Sequence, residues 1–177
     1  MYIYVVLIVI FLVYRYFKGK QDIFNGLGKI DKGRPQKLRI VYSRKQATKD
    51  RTQIVSSRDA YQVFKKIWSK QIEAREEMYV LFLNRKNSVL GYHILSMGGI
   101  TGTIADLRLL FAVALKSLAT SIIIAHNHPS GQLKPSGEDI ALTKNIKETG
   151  EIMNITLLDH LIVSNEGYYS FADEGDI

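Results

Sequence analysis

The feature that constrains this chain most is an apolar run that stops on two histidines. Ser121-Ile122-Ile123-Ile124-Ala125 reads as an apolar strand, and His126-Asn127-His128-Pro129 follows it directly. Side chains two apart on an extended chain leave the same side, so both imidazoles can meet one cation. Pro129 disfavours helix at His128 and so supports the extended geometry.

Around that run, strands and helices alternate irregularly. Leu38 to Tyr42 alternates like a strand. Ser57 is positioned to cap a helix over 58–72, with Ala60, Val63, Phe64 and Ile67 at helical spacing. Met78 to Leu83 reads as a buried strand, Asn84 to Asn87 as a polar turn, and Ser88 to Ser96 as the returning strand. A glycine-rich loop over 98–103 precedes a buried helix capped by Asp106 and running to about Leu118. The remaining expectations are a helix over 137–149, a strand over 156–163 and a short last strand over 168–171. This is the pattern of a single mixed α/β or α+β domain, not of a bundle or a sandwich.

The absence of cysteine excludes a disulfide scaffold, a thiol nucleophile and zinc held by thiolates. Any metal must therefore sit on His93, His126, His128, His160 and carboxylates. Asp139 lies eleven residues beyond His128, in the first turn of the expected next helix, and the intervening loop can fold it back beside the imidazoles. Two histidines and one carboxylate form a catalytic zinc set, because a fourth position stays open for water. Ser136, three residues before Asp139, either caps that helix or donates to a developing oxyanion.

The string His126-x-His128-Pro129 followed by Ser136-x-x-Asp139 resembles the JAMM, or MPN-plus, metalloprotease signature. The longer string AHNHPSG, then PS-x-x-D, then LLDHLIV at 157–163, resembles its bacterial RadC branch, often named a DNA repair protein. The resemblance runs from about Ser56 to the C-terminus. It implies a JAB/MPN, cytidine-deaminase-like fold: a curved mixed sheet flanked by helices, with zinc at the end of a central strand. It also implies zinc-dependent hydrolysis of a peptide or isopeptide bond in a protein or peptide substrate, with a glutamate as general acid/base. The matching place for that glutamate is Glu76, with Glu77 one strand step away and pointing to the opposite face. His160 also falls in the family string, where Asp159 and His160 either orient a ligand or support the sheet. His93 stands isolated in a strand and reads as structural.

The resemblance is incomplete. Longer family members carry an N-terminal helical region of DNA-binding type, where this chain has a hydrophobic segment and a linker. A His-Pro-Arg string is common after the glycine-rich loop, and the comparable place here reads Ala105-Asp106-Leu107-Arg108. The literal His-Asn-His is not an HNH nuclease motif, whose histidines are spread well apart.

The first 75 of 177 residues carry 17 basic and 5 acidic side chains, against 7 and 12 in the rest. A basic half suits nucleic acid or anionic lipid, and a DNA-associated binding module without turnover is the alternative reading. Residues 1–14 are an uninterrupted apolar and aromatic run followed by Arg15, Lys18 and Lys20. At 1.5 Å per residue the run covers about 21 Å of a hydrocarbon core about 30 Å thick. With Tyr16 and Phe17 added and Arg15 snorkelling, residues 1–17 approach the lower limit for a membrane anchor. The β-branched and aromatic content of the run would also suit a buried strand; if it is an anchor, residues 18–37 read as a linker and 38–177 as the RadC-like metalloprotease domain, cytoplasmic and tethered to the inner face of the membrane.

Overall fold

The computed structural model describes residues 51–98 and 105–177. The expected strand at Leu38–Tyr42, the 1–17 segment, the 18–37 linker and most of the glycine-rich loop lie outside the described residues.

Helix α1 (Ser57–Ile67) is capped by Ser56 rather than Ser57. The Ser56 hydroxyl accepts from the Asp59 amide, and Asp59 accepts in return from the Ser56 hydroxyl and the Val55 amide. The helix stops well before the expected Ile72. Trp68 turns to extended backbone and lays its ring 4.3 Å from that of Tyr79 on the sheet, so packing ends the helix where periodicity would continue it.

Strands β1 (Glu77–Leu83) and β2 (Val89–Met97) form the expected hairpin. The Asn84 side chain accepts from the amides of Lys86 and Ser88, and Asn87 takes a left-handed conformation at φ 54°. Helix α2 (Leu107–Ser117) begins at Asp106, as its sequence indicates. Strand β3 (Ser121–Asn127) is buried along its whole length and includes the first histidine. Helix α3 (Gly137–Met153) runs a turn beyond the expected Thr149, straight through Gly150. That glycine serves packing and not helix termination: a Cβ there would lie 2.3 Å from the Ile155 carbonyl oxygen. Strand β4 (Thr156–Val163) follows, then β5 (Tyr168–Ser170). Phe171 opens a short helix, α4 (Phe171–Glu174), instead of ending the strand, because Ser170 caps it.

The five strands form one mixed sheet in the order β2-β1-β3-β4-β5, with β3 and β4 parallel and the other neighbours antiparallel. Alternation along β1 and β3 sends side chains into two separate cores. Met78, Val80, Phe82, Ile122 and Ile124 pack with Leu110, Phe111 and Ile146 of α2 and α3. Tyr79, Leu81, Leu83, Ile123 and Ala125 pack with Ala60 and Phe64 of α1. Helices therefore cover both faces of the sheet. The central strand β3 emerges between them at its C-terminal end, where the histidines stand. Among the described residues no helix is long and apolar enough to cross a membrane.

Candidate metal centre

Three elements bring the ligand atoms together. His126 is the penultimate residue of β3 and wholly buried. His128 follows past the strand end, where the His128–Gly131 turn closes with Gly131 donating to the His128 carbonyl at 2.8 Å and φ of +74°. That turn returns the Gln132 carbonyl to 2.7 Å from His128 Nδ1. A carbonyl only accepts, so Nδ1 carries the proton and Nε2 of the neutral ring keeps its lone pair. Asp139 is the third residue of α3 and closes a capping box with Ser136. The Ser136 amide and hydroxyl donate to Asp139 Oδ2 at 2.7 and 2.6 Å, while the Asp139 amide donates back to Ser136 Oγ. Oδ2 is thereby anchored and Oδ1 turned toward His126.

His126 Nε2 lies 3.0 Å from Asp139 Oδ1 and 3.0 Å from His128 Nε2, and His128 Nε2 lies 3.5 Å from Asp139 Oδ2. Tetrahedral zinc with bonds of about 2.0–2.1 Å requires ligand atoms about 3.3 Å apart. The donor set, two imidazole nitrogens and one carboxylate, and its spacing fit a zinc ion.

Electrostatics point the same way. Burial pushes the Asp139 carboxyl up, but hydrogen bonds with His126 and His128, the His126 charge and the Ser136 hydroxyl hold it well below the usual carboxylate range. The hydrogen bond with Asp139 raises His128 above its ordinary value against the pull of burial. The Gln132 contact and the charges of Asp139 and Glu76 add to that rise. A proton and a metal cation thus compete for one negatively charged position.

The two glutamates separate as strand alternation requires. Met78 pairs with His126 across β1 and β3, so continuing the ladder by two residues sets Glu76 opposite His128. Glu76 is half-buried and its charge is felt at His128. Glu77 is wholly buried on the other face, 2.7 Å from Arg75 Nε and accepting from the Tyr79 hydroxyl at 3.3 Å. His93 pairs with Val80 on β2 and belongs to no ligand group found among the described residues.

Two contributors carry no role in the sequence motifs. Asn127 sits between the histidines but faces the opposite way. Its side-chain amide donates to the carbonyls of Ile72 and Arg75 at 2.5 and 2.9 Å, and its Oδ1 accepts from the Glu77 amide at 2.8 Å. It therefore ties the segment that ends in Glu76 to the strand that carries the histidines. Thr143, one helical turn beyond Asp139, reaches His160 beneath the centre. Beside His128 opens a cleft of 310 Å³ lined by Ile72, Glu73, the 129–131 turn and residues 164–166.

Fold and site together define a mixed-sheet domain with a His-His-Asp group able to hold a metal at the end of its central strand. The model of the RadC-like JAB domain matches residues 54–176, and the chain belongs to that family. It is 49% identical to a UPF0758 protein of Flavobacterium johnsoniae over 122 residues, 69% of this chain and 52% of that protein. It is 42% identical to a UPF0758 protein of Porphyromonas gingivalis over 126 residues, 71% of this chain and 55% of that one. A UPF0758 protein of Streptococcus suis is 44% identical over 103 residues, 58% of this chain and 42% of its own. The chain spans about half the length of the curated relatives it matches.

Proposed function

We propose that the chain is a zinc-dependent hydrolase of the JAMM type that cleaves a peptide or isopeptide bond in a protein or peptide substrate. The observation that carries this reading is the convergence of His126 Nε2, His128 Nε2 and the Asp139 carboxylate at spacings that suit zinc. These three side chains hold the ion. When bound, zinc brings the pKa of a coordinated water toward about 7 and polarises a carbonyl.

The protein's own groups do the rest. Glu76, on the face and at the register position of His128, accepts a proton from the attacking water and returns it to the leaving amine. Asn127 fixes the backbone before Glu76 and so sets where that carboxylate stands. Ser136 holds Asp139 Oδ2 through both its amide and its hydroxyl, so the hydroxyl can swing away while the amide keeps the carboxylate in place, and then donate to the developing oxyanion. The cleft beside His128 receives the substrate chain. On this reading the domain is of the JAB/MPN, cytidine-deaminase-like kind, and the apolar run of residues 1–17 would tether it to the cytoplasmic face of a membrane.

The test is the zinc-loaded full chain against a library of peptides and lysine isopeptides, with product release read by mass spectrometry. Glu76→Gln is expected to keep its zinc and lose about 10²–10⁴-fold in rate, the usual worth of general acid–base catalysis. Glu77→Gln leaves that role untouched. Cleavage that survives Glu76→Gln overturns the assignment. Absence of any cleavage at stoichiometric zinc overturns the hydrolase reading.

A further inference from the structure

Beneath the three ligands lies a hydrogen-bonded chain that none of them requires for contact with a metal. His126 Nδ1 is 2.8 Å from His160 Nε2, and His160 Nδ1 is 2.7 Å from Thr143 Oγ1. Thr143 Oγ1 is in turn 2.7 Å from the main-chain carbonyl of Asp139. The chain therefore starts on one ligand residue and ends on the backbone of another. His126 and His160 are both wholly buried, with Phe171 stacked on the His160 ring at 4.6 Å.

The direction of every proton follows from its far end. A carbonyl oxygen only accepts, so the single Thr143 hydroxyl proton goes to Asp139. With that proton spent, Thr143 Oγ1 accepts from His160, and Nδ1 of His160 carries the hydrogen. A neutral His160 then presents a lone pair at Nε2, which accepts from His126 Nδ1–H. His126 is left with its own lone pair at Nε2, the nitrogen that faces Asp139 and His128 and that a metal would take; with no cation there, Asp139 Oδ1 at 3.0 Å draws a proton to the same nitrogen. Reversing any link puts a proton on His126 Nε2 and blocks the ligand position.

We propose that Thr143 and His160 form a relay that holds His126 in the Nδ1–H tautomer and so preorganises it to bind the metal. Both are positioning residues, since neither reaches the metal group itself. Anchoring the relay on the Asp139 carbonyl couples the orientation of one ligand to the backbone of another. The claim rests on the reading that His126, His128 and Asp139 hold a metal, and the tautomer of His160 is a readout separate from metal affinity.

Two measurements on the full chain separate the claims. Nitrogen-15 NMR of the zinc-loaded protein reports which ring nitrogen of His160 bears the proton. We expect Nδ1–H on His160, with its Nε2 accepting from His126 Nδ1–H. An Nε2–H form of His160 in protein that holds its zinc overturns the relay and leaves the metal reading standing.

The second measurement is zinc affinity by chelator competition. Thr143→Val keeps the side-chain shape and removes the hydroxyl, and it should weaken zinc by about 10–100-fold, the usual cost of losing such a supporting contact. Thr143→Ser restores the hydroxyl and should return affinity to within about threefold of wild type. Equal affinity for wild type and Thr143→Val overturns the preorganising role. If the wild type binds no zinc, the metal reading fails and the preorganising claim falls with it, whatever the tautomers are.

Discussion

Asn127 offers the sharpest test of how this site is assembled, because its consequences follow from three hydrogen bonds and no assumption about substrate. Replacing it with alanine removes both donations to the carbonyls of Ile72 and Arg75 and the acceptance from the Glu77 amide. A net hydrogen bond is worth about 0.5–1.5 kcal/mol, so three sum to about 1.5–4.5 kcal/mol. The residue is wholly buried, so the abandoned backbone groups regain little water, and a loss of about 3 kcal/mol is expected. For a chain of this size that lowers Tm by about 6–12 °C. Asn127→Asp keeps the size but aims an oxygen at two carbonyl oxygens, and should destabilise at least as much. Thermal denaturation of the full chain followed by circular dichroism reads both variants. If Asn127→Asp melts within about 2 °C of wild type, the side chain does not bind the segment before Glu76 in the way described.

Further outcomes follow from the packing and the charges. Gly150→Ala, normally a gain inside a helix, should cost about 1–3 kcal/mol because its Cβ meets the Ile155 carbonyl, and urea unfolding with an unchanged midpoint would contradict this. Burial holds His160 well below its ordinary pKa, aided by the His126 charge. Below about pH 6.5 the unfolded chain takes up a proton that the folded chain refuses, so zinc-free stability falls with acid by up to about 1.4 kcal/mol per pH unit. His160→Gln should remove that slope, and parallel stability–pH curves for the two proteins would refute it. If residues 1–17 anchor the chain, the full-length protein should sediment with membranes in the absence of detergent. Recovery in the supernatant would reject the anchor.

The sequence exposed the clustered His-His-Asp group better than the framework around it. A short apolar strand, a following proline and a cap-forming serine are local signals, so His126, His128, Ser136 and Asp139 were legible from spacing. The choice between Glu76 and Glu77 also rests on a local rule, the alternation of a strand. Element ends were less legible because contacts distant in sequence decide them. Trp68 leaves α1 for Tyr79, and α3 passes through Gly150 because a neighbouring carbonyl leaves no room for a side chain. Asn127 lay inside the AHNHPSG string with no role attached to it, and Thr143 had no motif to announce it. Their partners are 55 and 17 residues away, and only the assembled sheet and helix bring them within reach. Their one visible trace was position: Asn127 between the two histidines, and Thr143 a helical turn beyond Asp139.

The central claim is that His126, His128 and Asp139 hold one zinc ion. Metal analysis of the purified full chain after dialysis against excess zinc tests it directly, alongside His126→Ala, His128→Ala and Asp139→Ala. The account predicts about one zinc per chain in the wild type and near-complete loss in each variant, since each removes one of the three ligands grouped among the described residues. Stoichiometric zinc in all three variants, or none in the wild type, would contradict it.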